Sequence, residues 1–178
     1  VIVVGGGPSG SAAASYNALN GCRVLLIEKD VWPRDKICGD AVGGKSLSHV
    51  KELGVKEMVE KTPHFMVDSI VFGSANGNTV KVMLPQDEFE KKMAGYSLPR
   101  MQFDYMMFKR ATEIVTEAGG SVIQGFNVKE VLEDEGAIVG VSGSFGKRSS
   151  ESPTMSFVAP VTIGAGGYRC PVATKLVE

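Results

Sequence analysis

Gly5, Gly7 and Gly10 stand at the spacing G-x-G-x-x-G, and the chemistry that spacing serves is capture of a pyrophosphate by main-chain N–H groups. The first glycine permits a tight turn, and the second lets the backbone approach the phosphates. The third lets a helix pack closely on a strand. Pro8 and Ser9 lie inside the same turn, where N–H groups and the positive end of a helix dipole would face the anion. Glu28 follows Gly10 by 18 residues (28 − 10). That is close to the spacing of about 20 expected for a carboxylate that accepts hydrogen bonds from ribose hydroxyls. A 2′-phosphate would be repelled there, which disfavours the adenosine of NADP.

The elements needed to position these residues are legible around them. Residues 1–4, Val-Ile-Val-Val, form a short continuous apolar run, as expected of a central parallel strand. Residues 8–20 are Ala-rich and predict a helix that Gly21 can end. Residues 23–28 predict a second strand closed by Glu28. Strand, helix and strand together make a βαβ unit of about thirty residues. NAD and FAD share this fingerprint, so the motif by itself leaves the two open.

Farther along, residues 30–44 read as a loop and 45–53 as a helix. Residues 68–72 and 79–84 read as strands flanking a turn at Asn76-Gly77-Asn78. A helix over 102–118 follows from the three- and four-residue spacing of Phe103, Met106, Met107, Ala111, Ile114, Val115 and Ala118, with Asp104 as a candidate cap. Strands are expected over 122–128, 131–133, 137–142 and 154–163, a polar turn over 143–152, and a helix beginning at 172.

Composition excludes several functional classes. With 178 residues, 43% hydrophobic, 22% charged and a net charge of −1, the chain has the balance of an ordinary globular protein and no hint of a nucleic-acid partner. No apolar run approaches the roughly 18–20 residues that span a bilayer, although composition leaves a peripheral membrane contact open. Cys22, Cys38 and Cys170 form no C-x-x-C pair, so neither a metal site nor a disulfide framework is expected, and a cytoplasmic setting fits them. The chain begins inside an apolar run without an initiator Met, and it reads as a segment of a longer protein.

The loop Pro33-Arg34-Asp35-Lys36-Ile37-Cys38-Gly39-Asp40-Ala41, together with the glycine motif, resembles the geranylgeranyl reductase family of flavoproteins, within the wider FAD fold of p-hydroxybenzoate hydroxylase. The likeness continues through Tyr96-x-x-x-Arg100-x-x-Phe103-Asp104 and ends in Ile163-Gly164-Ala165-Gly166-Gly167, covering nearly the whole chain. It implies an α/β fold: a Rossmann-like FAD-binding domain with a parallel sheet, a β-meander and part of an interleaved substrate-side sheet. It divides the chain into a discontinuous FAD-binding domain, 1–53 and 101–178, and a substrate-side segment, 54–100.

The resemblance also implies FAD as cofactor, with NAD(P)H or ferredoxin as candidate electron donors. It sets the Cys38-Gly39-Asp40-Ala41 backbone near the isoalloxazine ring or ribityl chain, and Arg100 against the cofactor as a fixed multi-donor cation. Val128 would lie against the adenine, and Lys29, Arg34, Gly164 and Ala165 complete the cofactor-binding set. Cys38 would touch flavin and substrate, shaping the pocket or serving in proton transfer; a small buried hydrophobe is its bland alternative. One departure stands out. Gly166 occupies the place of the family's acidic residue, and Cys170 that of a common small hydroxyl residue.

The activity implied is reduction of carbon–carbon double bonds in a geranylgeranyl or polyprenyl chain of a lipid or quinone. That hydrophobic prenyl substrate would bring membrane association. A flavin monooxygenase or halogenase acting on a small aromatic compound is the alternative enzyme, and a non-catalytic nucleotide-binding fragment is the third reading. His49 and His64 lack partners at ligand spacing, Trp32 reads as a loop anchor, and Lys91-Lys92 as a solvated patch.

Overall fold

The computed structural model describes residues 1–84, 95–146 and 153–177. These form two compact units, residues 1–34 with 104–178, and residues 35–103. The sequence reading set its breaks at 53/54 and 100/101. In the structure the helix after residue 45 packs on elements of the second unit, which keeps residues 35–53 there.

The first unit is built on a parallel sheet. β1 (Ile2–Val4) lies between β2 (Leu25–Glu28) and β12 (Thr162–Gly164), and β8 (Ser121–Gln124) extends the sheet beyond β2, giving the order β12-β1-β2-β8. All three pairings are parallel. Because side chains alternate across a strand, Ile2 and Val4 face one way and Val3 the other, and all three are buried. α1 (Pro8–Leu19) packs on β1, β2 and β12 through Ala14 and Ala18. Gly21, at φ +83°, donates its N–H to the Ala18 carbonyl and ends this helix.

A three-stranded antiparallel meander, β9 (Phe126–Asp134), β10 (Ala137–Phe145) and β11 (Met155–Val158), supplies the second layer. The core between the layers holds Ile2, Val4, Ile27, Phe126, Val128, Val141, Cys170 and Val172. Phe126 is its anchor, fully buried and edge-on to both Phe145 and Phe157. α5 (Pro171–Val177) contributes Val172 to this core and packs on β9 and β12.

In the second unit β7 (Gly95–Ser97) pairs antiparallel with β3 (Ala41–Gly43) and β4 (Phe65–Val67), giving the order β3-β7-β4. α2 (Ser46–Glu52) and α3 (Lys56–Glu60) accompany it. β5 (Ser69–Gly73) and β6 (Thr79–Met83) make a separate hairpin around Gly77. The remaining helix, α4 (Arg100–Glu117), crosses the boundary between the units at Phe103/Asp104.

Several expectations need correction. β3, β4 and β7 are strands that local patterning missed, because each is three residues long and fixed by its partners in the sheet. The expected strand over 154–163 is two strands in different sheets; Pro160, which has no N–H to give a ladder, stands between them. The expected polar turn at 143–152 is strand through Phe145, and its residues 147–152, like Lys91-Lys92, lie outside the described residues. α4 starts two residues before the expected position. Asp104 is therefore in its second turn, buried, and does not cap it.

Replacing Phe126 with Ala should lower the unfolding free energy by about 3–5 kcal/mol, the usual cost of deleting a buried aromatic ring. Chemical denaturation of the 178-residue chain followed by circular dichroism measures it. A cost below about 1 kcal/mol would mean that the meander and the parallel sheet do not share this core.

Candidate functional site

The carboxyl ends of the parallel strands are where the glycine motif falls. β1 delivers the chain to Gly5 with β2 on one side and β12 on the other, so the turn lies where neighbouring strands diverge in chain order. Open α/β sheets bind ligands at that position.

Backbone crowding there leaves room only for glycine. A Cβ on Gly5, whose φ is +106°, would sit 2.5 Å from the Ala165 carbonyl oxygen, while Ala165 donates its N–H to the Val4 carbonyl at 2.8 Å. A Cβ on Gly10 would overlap the Gly5 carbonyl oxygen. Gly7 is different: among the described residues, the sole neighbour its Cβ would meet within 4 Å is Nη2 of Arg34, at 3.5 Å. The second glycine of the motif thus faces space with a guanidinium at its edge.

Gly7 is also the N-cap of α1 and offers no side-chain cap, Pro8 is at the first helical position, and no acidic residue lies in the first turn. Ser9 and Gly10 follow in that turn, where N–H groups have no intrahelical acceptor. A helix that starts so, with its dipole end uncapped and a cation beside it, fits an anionic diphosphate.

Glu28 closes β2, as the spacing predicts, and it is 2% exposed. Its Oε2 accepts the Gly6 N–H at 2.6 Å, and its Oε1 accepts the Asp30 N–H at 2.9 Å. Nη2 of Arg34 is 3.7 Å from Oε2. The carboxylate therefore braces the glycine turn from within, a role that the ribose-spacing argument did not foresee. Gly6, an x position in the motif, is constrained as well: a Cβ there would meet the Phe108 ring at 2.8 Å. Phe108 in turn stacks on Trp32, with centroids 5.2 Å apart, and the Arg34 guanidinium lies 4.4 Å from the Trp32 ring centroid. Phe108 lies outside the apolar stripe read from sequence, and only the middle glycine of the run Gly5-Gly6-Gly7 hints at a close neighbour.

Of the other candidate residues in this unit, Lys29 is exposed, and Val128 turns its side chain into the core while its main chain pairs with Gly143. Gly164 ends β12. Position 166 is crowded by its neighbour, since a Cβ there would lie 3.2 Å from Cβ and Sγ of Cys170.

In the other unit, Cys38, Gly39, Asp40 and Ala41 are all exposed. Asp40 Oδ1 accepts the Arg100 N–H at 3.0 Å, the Asp40 carbonyl accepts the Leu98 N–H at 2.9 Å, and Arg100 Nη1 donates to the Gly39 carbonyl at 3.4 Å. No group of three or more metal-ligating side chains occurs among the described residues, and no helix among them is long and apolar enough to cross a membrane.

Comparison with known proteins agrees with this geometry. The family described as FAD binding domain matches residues 1–177. The chain is 44% identical over 80 residues to Conditioned medium factor receptor 1 of Dictyostelium discoideum, covering 44% of this chain and 16% of that protein. It is 28% identical over 135 residues to the Menaquinone reductase of Mycolicibacterium smegmatis, covering 75% of this chain and 31% of that protein. The solved structure of the myxobacterial chondrochloren halogenase CndH, an FAD-dependent halogenase, superposes with a TM-score of 0.79 at 25% identity, covering 94% of this chain and 37% of the other. The chain thus spans between 16% and 37% of the length of these proteins.

Glu28→Gln tests the internal brace. One amide oxygen can satisfy one of the two N–H groups, while the amide NH2 faces the other donor. Leaving a buried N–H unpaired should cost about 1–3 kcal/mol, read as a fall in the denaturation midpoint. An unchanged midpoint would show that the turn holds its shape without the carboxylate.

Proposed function

The chain belongs to the FAD binding domain family, and from that premise we propose that it is the cofactor-binding part of a flavoenzyme that reduces carbon–carbon double bonds in a geranylgeranyl or polyprenyl chain of a lipid or quinone. The observation that carries the FAD reading is the uncapped start of α1 beside Arg34, at the divergence of β2 and β12. The reductase reading has support from the sequence likeness to a protein named menaquinone reductase over 75% of the chain. It also has support from the family resemblance of the Cys38–Ala41 loop.

Within this reading the residues divide the work. N–H groups of Gly7, Ser9 and Gly10 would hold the pyrophosphate, and Arg34 would balance its charge without losing its seat on Trp32. Glu28 keeps the turn in shape and sets a negative charge where ribose hydroxyls can donate. Ala165 closes the other side of the turn, with its carbonyl against Gly5 and its methyl toward Gly10, and Gly164 pairs with Val4 beside it. The resemblance assigns Cys38, Gly39, Asp40, Ala41 and Arg100 to the ring and ribityl end, and Val128 to the adenine. Bound FAD supplies hydride-transfer chemistry, and the protein supplies position and electrostatics. A second reading, a flavin monooxygenase or halogenase, is favoured by the overlap with the chondrochloren halogenase, and a shared fold does not decide between them.

Anaerobic reduction of the flavin-loaded protein with dithionite, followed by a geranylgeranyl lipid, separates the two. Reoxidation of the flavin bands as the lipid gains hydrogen is the expected result. A reduced flavin that ignores the lipid and reacts with oxygen would move the assignment to the monooxygenase or halogenase class.

A further inference from the structure

Beside the glycine turn, Trp32 and Arg34 are held in different ways. Trp32 is fixed from two elements. Its N–H donates to Oε1 of Gln124, at the end of β8, at 2.8 Å, and its ring stacks on Phe108 and Tyr105 of α4 with centroids 5.2 and 6.2 Å away. The contacts of Arg34 are looser. Its Nη2 is 3.7 Å from Glu28 and its Nε 3.8 Å from Asp30, both longer than a hydrogen bond. Its guanidinium carbon lies 4.4 Å from the Trp32 ring centroid.

The Nε of Arg34 is buried and has no hydrogen-bond partner among the described residues, although two carboxylates stand within 4 Å of the guanidinium. A buried donor without an acceptor is destabilising, and its persistence calls for a cause. The ring supplies one. An aromatic face attracts a guanidinium through its quadrupole and takes none of the N–H groups at the rim of the cation. Were the guanidinium to close on Glu28 or Asp30, charge-assisted hydrogen bonds would neutralise it and occupy those donors.

We propose that Trp32 is a positioning residue of the phosphate site: its ring holds the Arg34 guanidinium off Glu28 and Asp30, so that the cation keeps its charge and its donors for a nucleotide diphosphate at Gly7. This rests on the reading that the glycine turn holds the ADP half of FAD. Two acids beside the turn oppose a diphosphate, and a guanidinium not committed to either of them offsets that repulsion. Trp32 therefore does more than anchor a loop. Its own Nε1 has no partner among the described residues, so the face of the ring, and not its N–H, carries the role.

The test titrates ADP into the 178-residue chain by calorimetry, with W32L, W32F, R34A and the double variant W32L/R34A. W32L should weaken ADP about fivefold, the size of a partly buried cation–π contact. W32F, which keeps an aromatic face, should stay near wild type. The double variant should bind ADP no more weakly than R34A alone, since a residue that acts through another adds nothing once that other is gone. Trp32 is the single tryptophan of the chain, so its emission reads the contact directly, whether or not W32L folds. R34A should move that emission to longer wavelength as water replaces the guanidinium on the ring. Equal losses in W32F and W32L, losses that multiply in the double variant, or an unmoved emission in R34A would overturn the proposal. A wild-type chain that binds no ADP would sink the nucleotide reading instead, and the emission would still decide whether the ring seats the cation.

Discussion

The turn after β1 depends on one buried interaction, the hydrogen bond from the Gly6 N–H to the Glu28 carboxylate. A carboxylate that is 2% exposed is costly unless its oxygens are paired. Here both are, each by a main-chain N–H, with a guanidinium nearby. Satisfying that charge fixes the path of residues 5–7, because Gly6 must point its N–H at β2 while Gly5 passes under the Ala165 carbonyl. Gly7 is left facing outward at the start of α1. The shape of the glycine turn is therefore a consequence of burying an acid at the end of β2.

Aromatic packing holds the same place from the side. Phe108 fills the space that a side chain on Gly6 would need, and it stacks on Trp32, which carries the Arg34 guanidinium on its ring. The cation is thereby kept about a side chain's reach from Gly7 without a tight ion pair to immobilise it. Arg34 also lies 3.8 Å from Asp30, so its charge is shared between two acids and remains near the turn.

How much of this was legible in the sequence follows from how local each signal is. The βαβ unit was readable because its glycines, apolar run and terminal acid lie within thirty residues and each has its own physical reason. The alternation and turn signals of β5 and β6 were readable for the same reason. The expected strand over 122–128, by contrast, runs across β8 and β9 of different sheets, and that over 131–133 is the interior of β9. β3 and β7 were not readable, since three-residue strands have no period to detect and are set by distant pairings, Val42 with Tyr96 and Tyr96 in turn with Met66. At the site, Glu28 was found by spacing, but its bond to Gly6 was not, because an x position in a motif makes no demand on sequence. Asp40 as the cap of α4 was likewise invisible: capping signals are sought next to a helix, and this one comes from sixty residues upstream. Asp104, the local candidate, is buried one turn too late.

The central claim is that the glycine turn holds the ADP half of FAD, and competitive titration tests it most directly. FAD is added to the 178-residue chain while flavin fluorescence is followed, then ADP is added to the complex, with FMN titrated in parallel. The account predicts that FAD binds, that ADP displaces it, and that FMN, which lacks the adenosine half, binds far more weakly. FMN binding as tightly as FAD, or FAD binding indifferent to ADP, would contradict it.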